Sequence, residues 1–222
     1  MHTEQLQLQN GPRFAAVGSG ERDFHEACGG NVPQEFGAWS GDEVAAVAAE
    51  QGIKPLSGER MLRFLRAAPR AARNEPALVS SEQWQLIDLQ PWREKLAGGG
   101  ATLEFAAWFN RAPLAASTCR MGVGVFACRG PAANARQIWR NYAQETLAHA
   151  GTQIIADDDP ATWERTTAQI FIPEETDFLV IVLSAIRRPL PPNAPPTFEG
   201  HYADAATLAL YLPPRPALDP QQ

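Results

Sequence analysis

Period-two alternation of apolar and polar positions dominates the second half of the chain. From Thr102 to Asn110, Leu103, Phe105, Ala107 and Phe109 share one face and Glu104, Ala106, Trp108 and Asn110 the other. Alternation of that length predicts a half-buried β-strand. Comparable segments run over Arg60–Arg66, Gln83–Leu89, Met121–Arg129, Trp163–Ile172 and His201–Tyr211. Phe178–Ile186 is apolar on both faces, as expected of a central strand covered on both sides. The period changes once: Ile138, Trp139, Tyr142, Ala143 and Leu147 recur at helical spacing between Pro131 and Gly151, predicting one inserted helix over residues 133–150. Residues 36–53 fit either a short helix or a strand. Residues 1–35 predict irregular structure anchored by Phe14, Phe24 and Phe36, and 67–77 predict a surface loop.

Strands joined by turns, without the alternating long helices of a parallel sheet, predict a mainly β, antiparallel β-sandwich. The chain of 222 residues suits one such domain, assigned to residues 1–212, with the proline-rich stretch 213–222 as a disordered tail. The 19 prolines and 17 glycines agree with many turns. A net charge of −6 argues against nucleic acid and against an anionic membrane surface as partner. No stretch reaches the roughly 18 apolar residues of a membrane-spanning helix, so membrane insertion is not expected. The N-terminus lacks a signal-peptide pattern, which leaves the compartment undefined. The cysteines are Cys28, Cys119 and Cys128, an odd number that excludes a full disulfide framework.

Four segments together resemble the galactose-binding-like superfamily of jelly-roll domains, which includes many carbohydrate-binding modules. Asn10-Gly11-Pro12-Arg13-Phe14 resembles its opening, and Phe36-Gly37-Ala38-Trp39 the segment that follows. Trp163 with Ile170-Phe171-Ile172-Pro173 resembles a later strand, and Gly200-His201-Tyr202-Ala203-Asp204 with Leu208 the closing strand. The order is also similar to C-terminal domains of FecR-type anti-sigma regulators, which would make the chain an extracytoplasmic fragment or cousin. The resemblance implies a non-catalytic module that binds carbohydrate or another cell-envelope component, with a structural or regulatory protein-interaction domain as the alternative. It also implies a structural calcium held by an N-terminal Glu and two closing-strand acids. Here Ala15 and Ala205 occupy two of those positions, and Asp204 alone remains as a metal ligand.

No catalytic set stands out. Gly-x-Ser-x-Gly, His-Glu-x-x-His and Walker patterns are absent. Gly122-Val123-Gly124-Val125-Phe126-Ala127 matches a dinucleotide pattern, but in a strand rather than a strand-to-helix turn. Asp157-Asp158-Asp159-Pro160 is an acidic turn without EF-hand spacing. Glu104 and Asp88 would face one another if their strands were neighbours. Sugars are commonly held on flat aromatic faces beside hydrogen-bonding side chains. Trp108 with Asn110 and Arg111 is therefore the leading ligand-binding candidate, with Trp84 second, whereas Trp39 and Trp139 suit packing roles. Parity puts Asp204 on the face of Leu208 and Leu210, directed inward, where a carboxylate needs a partner.

Overall fold

The computed structural model describes residues 2–6, 33, 35–66, 79–113, 115, 119–187, 198 and 200–213. Asn10–Phe14, Ala15, Cys28, the 67–77 loop and nearly all of the tail lie outside the described residues. Eleven strands are described: β1 (His2–Leu6), β2 (Ser40–Gly41), β3 (Glu43–Val47), β4 (Met61–Arg66), β5 (Val79–Asp88), β6 (Thr102–Arg111), β7 (Cys119–Cys128), β8 (Ala148–Ile154), β9 (Glu164–Phe171), β10 (Phe178–Arg187) and β11 (His201–Leu212). They form two antiparallel sheets. The first has the order β3-β4-β11-β6-β9, with β1 also paired to β11; the second has the order β2-β5-β10-β7-β8. This is the antiparallel sandwich that the alternation predicts, consistent with the jelly roll that the resemblance implies. β10 lies at the centre of the second sheet, as its unbroken apolar run requires.

The core lies between the inner faces. Leu103, Phe105, Ala107 and Phe109 of β6 meet Met121, Val123 and Val125 of β7 and Leu179, Ile181 and Leu183 of β10. Gln83 and Gln85 interrupt the apolar pattern of β5 yet are buried. Their Nε2 groups donate to the carbonyls of Asp42 and Gly37, both at 2.5 Å, which ties the segment leading into β3 to this edge. The ambiguous 36–53 region is thus strand and turn, not helix.

The inserted helix is shorter than its periodicity implies. A 3-10 turn (Ala132–Asn134) leads into α1 (Ala135–Arg140), and after a break at Asn141 comes the single turn α2 (Tyr142–Glu145). Ala148–Ile154 is strand: its backbone completes the exposed edge of β7, with Ala148 opposite Ala127 and Ile154 opposite Met121. Edge pairing outweighs helical propensity there, because an unpaired β7 would leave a full row of N–H and C=O groups. Ala135 and Ile138 carry the docking of α1 onto the outer face of the second sheet, against Trp84, Leu86, Val180 and Val182. Tyr142 and Leu147 remain exposed.

A β-bulge in β11 reverses the expected direction of Asp204. Asp204 pairs with Trp108 while Thr207 pairs with Ala106, so three steps along β11 match two along β6. Ala205, at φ 48°, takes up the extra residue. Tyr202 and Asp204 therefore face outward and Leu208 and Leu210 inward, although all four are even-numbered. No helix among the described residues is long and apolar enough to cross a membrane.

Candidate functional site

The outer face of the first sheet can be laid out from its register. Across β9, β6 and β11 the first row is Arg165, Trp108 and Asp204, and the second is Thr167, Ala106 and Thr207. The third row is Gln169, Glu104 and Ala209, and the fourth Phe171, Thr102 and Tyr211. Rows two residues apart along a strand are separated by about 6.7 Å, so Trp108 stands roughly 20 Å from the Phe171–Tyr211 row. The intervening floor carries small side chains, Ala106, Ala209, Thr167 and Thr207, together with Glu104 and Gln169 in its third row. Trp108 and Tyr211 are half-buried, and Phe171 is 76% exposed, so both ends of this trough are aromatic.

A charged network rises from the floor. The Glu104 carboxylate accepts from Arg165 Nη2 at 2.5 Å and from Gln169 Nε2 at 2.6 Å. Burial pushes its pKa up, but the hydrogen bonds from Gln169 and Arg165, with the Arg165 charge, outweigh this and hold it below the ordinary value. The ion pair cancels its own charge and leaves Arg165 N–H groups open to solvent, since that side chain is 42% exposed.

The Trp108 end is closed by a wall built from the 48–60 segment. Gln51 and Gly52, at φ 50° and 84°, make a two-residue hairpin turn between Glu50 and Ile53. Ile53 packs on Met61, Ala112 and Tyr202, and half-buried Trp163 packs beside them and donates Nε1–H to the Lys54 carbonyl at 3.1 Å. Beneath this wall the Tyr202 hydroxyl donates to Glu50 at 2.9 Å and Arg63 pairs with the same carboxylate at 2.8 Å. Asp204 pins the wall: its Oδ2 accepts the Leu56 and Ser57 N–H groups at 2.8 and 3.2 Å, and its Oδ1 the Ala205 N–H at 2.6 Å. Burial raises the Asp204 pKa, and the three N–H groups only partly offset it.

These contacts place the sequence candidates differently from the expectation. Trp108 alone lies on the trough. Asn110 is fully buried behind the wall, with Nδ2 donating to the Pro160 carbonyl at 3.1 Å. Arg111 points to the interior at the end of the sandwich, donating to the Ala156 and Ala115 carbonyls at 3.1 and 3.0 Å. Trp84 is 1% exposed beneath α1 and has no open ring face. Asp204 does not fit a calcium ion. Its oxygens are lined by N–H donors, and no group of three His, Cys, Asp or Glu residues suited to a metal exists among the described residues. The acidic turn is satisfied internally, with Asp157 accepting from Asp159 N and Asp159 from Ala161 N. Asp88 and Glu104 sit in different sheets.

Arg165, Gln169, Thr207 and Tyr211 were the residues missed. The first two were accessible from the alternation Arg165, Thr167, Gln169, Phe171 against Thr166, Ala168, Ile170. The latter two follow from the same parity that turns Leu208 and Leu210 inward, since the bulge lies before Thr207.

No protein-family model matches the chain, and no curated protein matches it. Among solved structures, the CBM22-1 xylan-binding domain of Paenibacillus barcinonensis Xyn10C is similar, at 12% identity over 82% of this chain and 92% of that one, with a TM-score of 0.43. The enzymatically active domain of Bacteriophage CBA120 tailspike protein 4 is similar at 10% identity over 84% of this chain, TM-score 0.44, and this chain spans 21% of its length. The C-terminal family 22 carbohydrate binding module of Clostridium thermocellum Xyn10B is similar at 16% identity over 79% of this chain and 86% of that one, TM-score 0.40. Each is a likeness of general fold and assigns no residue of the trough.

Proposed function

We propose that this chain is a non-catalytic carbohydrate-binding module whose ligand lies in the trough on the outer face of the first sheet. The observation that carries this reading is the register itself. One half-buried indole, a floor of Ala and Thr, a fixed Arg165–Glu104–Gln169 network and a far aromatic row share one open face. Indole and phenol rings stack against sugar C–H faces, and the network offers both N–H donors and carboxylate acceptors to hydroxyl groups. Because the Arg165–Glu104 ion pair on this floor is self-neutralised, a neutral glycan suits it better than an acidic one. Glu104 serves as an acceptor and not as a catalytic acid, since its pKa is held low and a general acid needs a raised one.

Affinity electrophoresis against a panel of neutral plant and bacterial polysaccharides, followed by calorimetry with the best oligosaccharide, tests this reading. The wild-type chain is expected to be retarded and Trp108→Ala to bind at least tenfold more weakly, about 1.4 kcal/mol. Unretarded migration of the wild-type chain in every gel, or unchanged affinity in Trp108→Ala, overturns it.

A further inference from the structure

On the opposite face of the sandwich, where α2 runs into β8, three rings lock together. Phe126 of β7 stacks on His149 of β8 at 5.8 Å, and Tyr142 meets both edge-on, at 5.5 Å from Phe126 and 5.7 Å from His149. Register accounts for the stack, because His149 is the partner of Phe126 on the outer face of the second sheet. Tyr142 is 43% exposed and neighbouring Leu147 38%, and His149 is also exposed. Three rings are thus held in a fixed arrangement at the surface rather than buried by it.

The hydrogen bonds around His149 assign its tautomer. The Thr146 hydroxyl is 2.6 Å from the Tyr142 carbonyl and spends its single proton there. Its oxygen therefore accepts from His149 Nδ1–H, at 3.3 Å. The imidazole is left with its lone pair on Nε2. An oriented acceptor nitrogen next to an exposed phenol ring is the pairing a sugar needs, one group for a hydroxyl proton and one for a C–H face. Beside it, Gly151 of β8 pairs with Gly124 of β7 on the same outer face. A Cβ at Gly151 would meet nothing closer than 3.4 Å, so close packing does not account for that glycine, which leaves bare backbone next to the rings.

We propose that Tyr142, His149 and Phe126 form a second carbohydrate subsite, on the face opposite the trough, so that one chain engages two glycan strands. The ligand class rests on the reading given under Proposed function; the site itself does not. Tyr142 supplies the platform, His149 Nε2 accepts a hydroxyl proton, and Phe126 holds the imidazole in place.

The test is a titration of ring-labelled protein with cellohexaose, xylohexaose and mannohexaose, followed by NMR. In the wild type, one of these is expected to shift the Trp108 indole signal and the Tyr142 and His149 ring signals with separate affinities. In Trp108→Ala the second set of shifts persists. His149→Phe keeps the stack on Phe126 but removes the acceptor, and weakens the second-site affinity about tenfold while leaving the Trp108 titration unchanged. Shifts at Trp108 alone overturn the second site and leave the trough standing. Shifts at Tyr142 and His149 alone support the second site and overturn the trough. Shifts at neither overturn both.

Discussion

Asp204 accepts three backbone N–H groups, two of them from a segment almost 150 residues earlier in the chain. Asp204→Ala leaves those half-buried donors without an acceptor, at about 1–3 kcal/mol for each that water cannot reach, so a loss of about 1–3 kcal/mol is expected in urea denaturation. The pH dependence has a definite sign. Burial raises the Asp204 pKa above its ordinary value of 3.8, so the folded protein holds this proton more tightly than the unfolded chain. The resulting stabilisation is complete below pH 3.8 and is lost as pH rises through the folded value. Asp204→Asn cannot titrate. The stability difference, wild type minus Asp204→Asn, should therefore fall as pH is raised from about 4 to about 7. Parallel stability curves for the two proteins would remove the assignment. The parity of the closing strand correctly identified a carboxylate in need of a partner. It put that carboxylate on the wrong face, because parity counts residues and a bulge adds one without a sequence mark.

At the scale of elements, the bulge determines which side chains of β11 join the trough. Ala205 sits at φ 48°, a region that costs a residue with a Cβ about 1–2 kcal/mol. Ala205→Gly removes that strain but gives the unfolded chain more freedom, so a net gain of up to about 1 kcal/mol is expected from the denaturation midpoint. Deleting Ala205 removes the extra residue, so Asp204 stays opposite Trp108 and Thr207 opposite Ala106 in simple alternation, and that variant is expected to fold with the same side chains outward. A second local feature lies in β7, where a Cβ on Gly122 would come within 2.2 Å of the Thr152 carbonyl oxygen. Gly122→Ala must push β8 away from β7, and amide exchange of Thr152 and Gln153 should accelerate while β10 stays protected. Equal protection in both proteins would show that the strand pair absorbs the methyl group. The apparent dinucleotide pattern is thus explained by close backbone approach. The misjudged helix has a similar origin: residues 135–145 follow their periodicity in part, but 148–154 answer to the open edge of β7, a tertiary demand absent from local pattern.

The whole molecule is a sandwich whose two outer faces carry different surfaces, with the core confined between them. Its class was legible because most strands of the second half alternate or are wholly apolar, and a sandwich is the architecture that buries such faces. The candidate site was legible only where alternation was unbroken: Trp108 lies on the outer face where parity puts it, whereas Asn110 and Arg111, its neighbours in sequence, are taken up by loops that fold back from residues 115 and 156–160. The same architecture governs the thiols. Cys119 and Cys128 are the first and last residues of β7, roughly 30 Å apart at the rise of an extended strand, so they cannot pair within one folded chain. Both are fully buried, and burial pushes each thiol up to about 12, well above the pH at which a thiolate would form in solution. With an aromatic disulfide reagent near pH 8, the native protein should therefore release at most one equivalent, from Cys28, and three equivalents after denaturation in guanidinium. Cys128 lies beneath the face that carries α1, among Phe178, Ala135 and Ile138, and Cys119 lies in the main core, so the two report on different layers. A rapid second equivalent in the native state would show that one end of β7 opens in solution; mapping the labelled cysteine would identify which layer yields first.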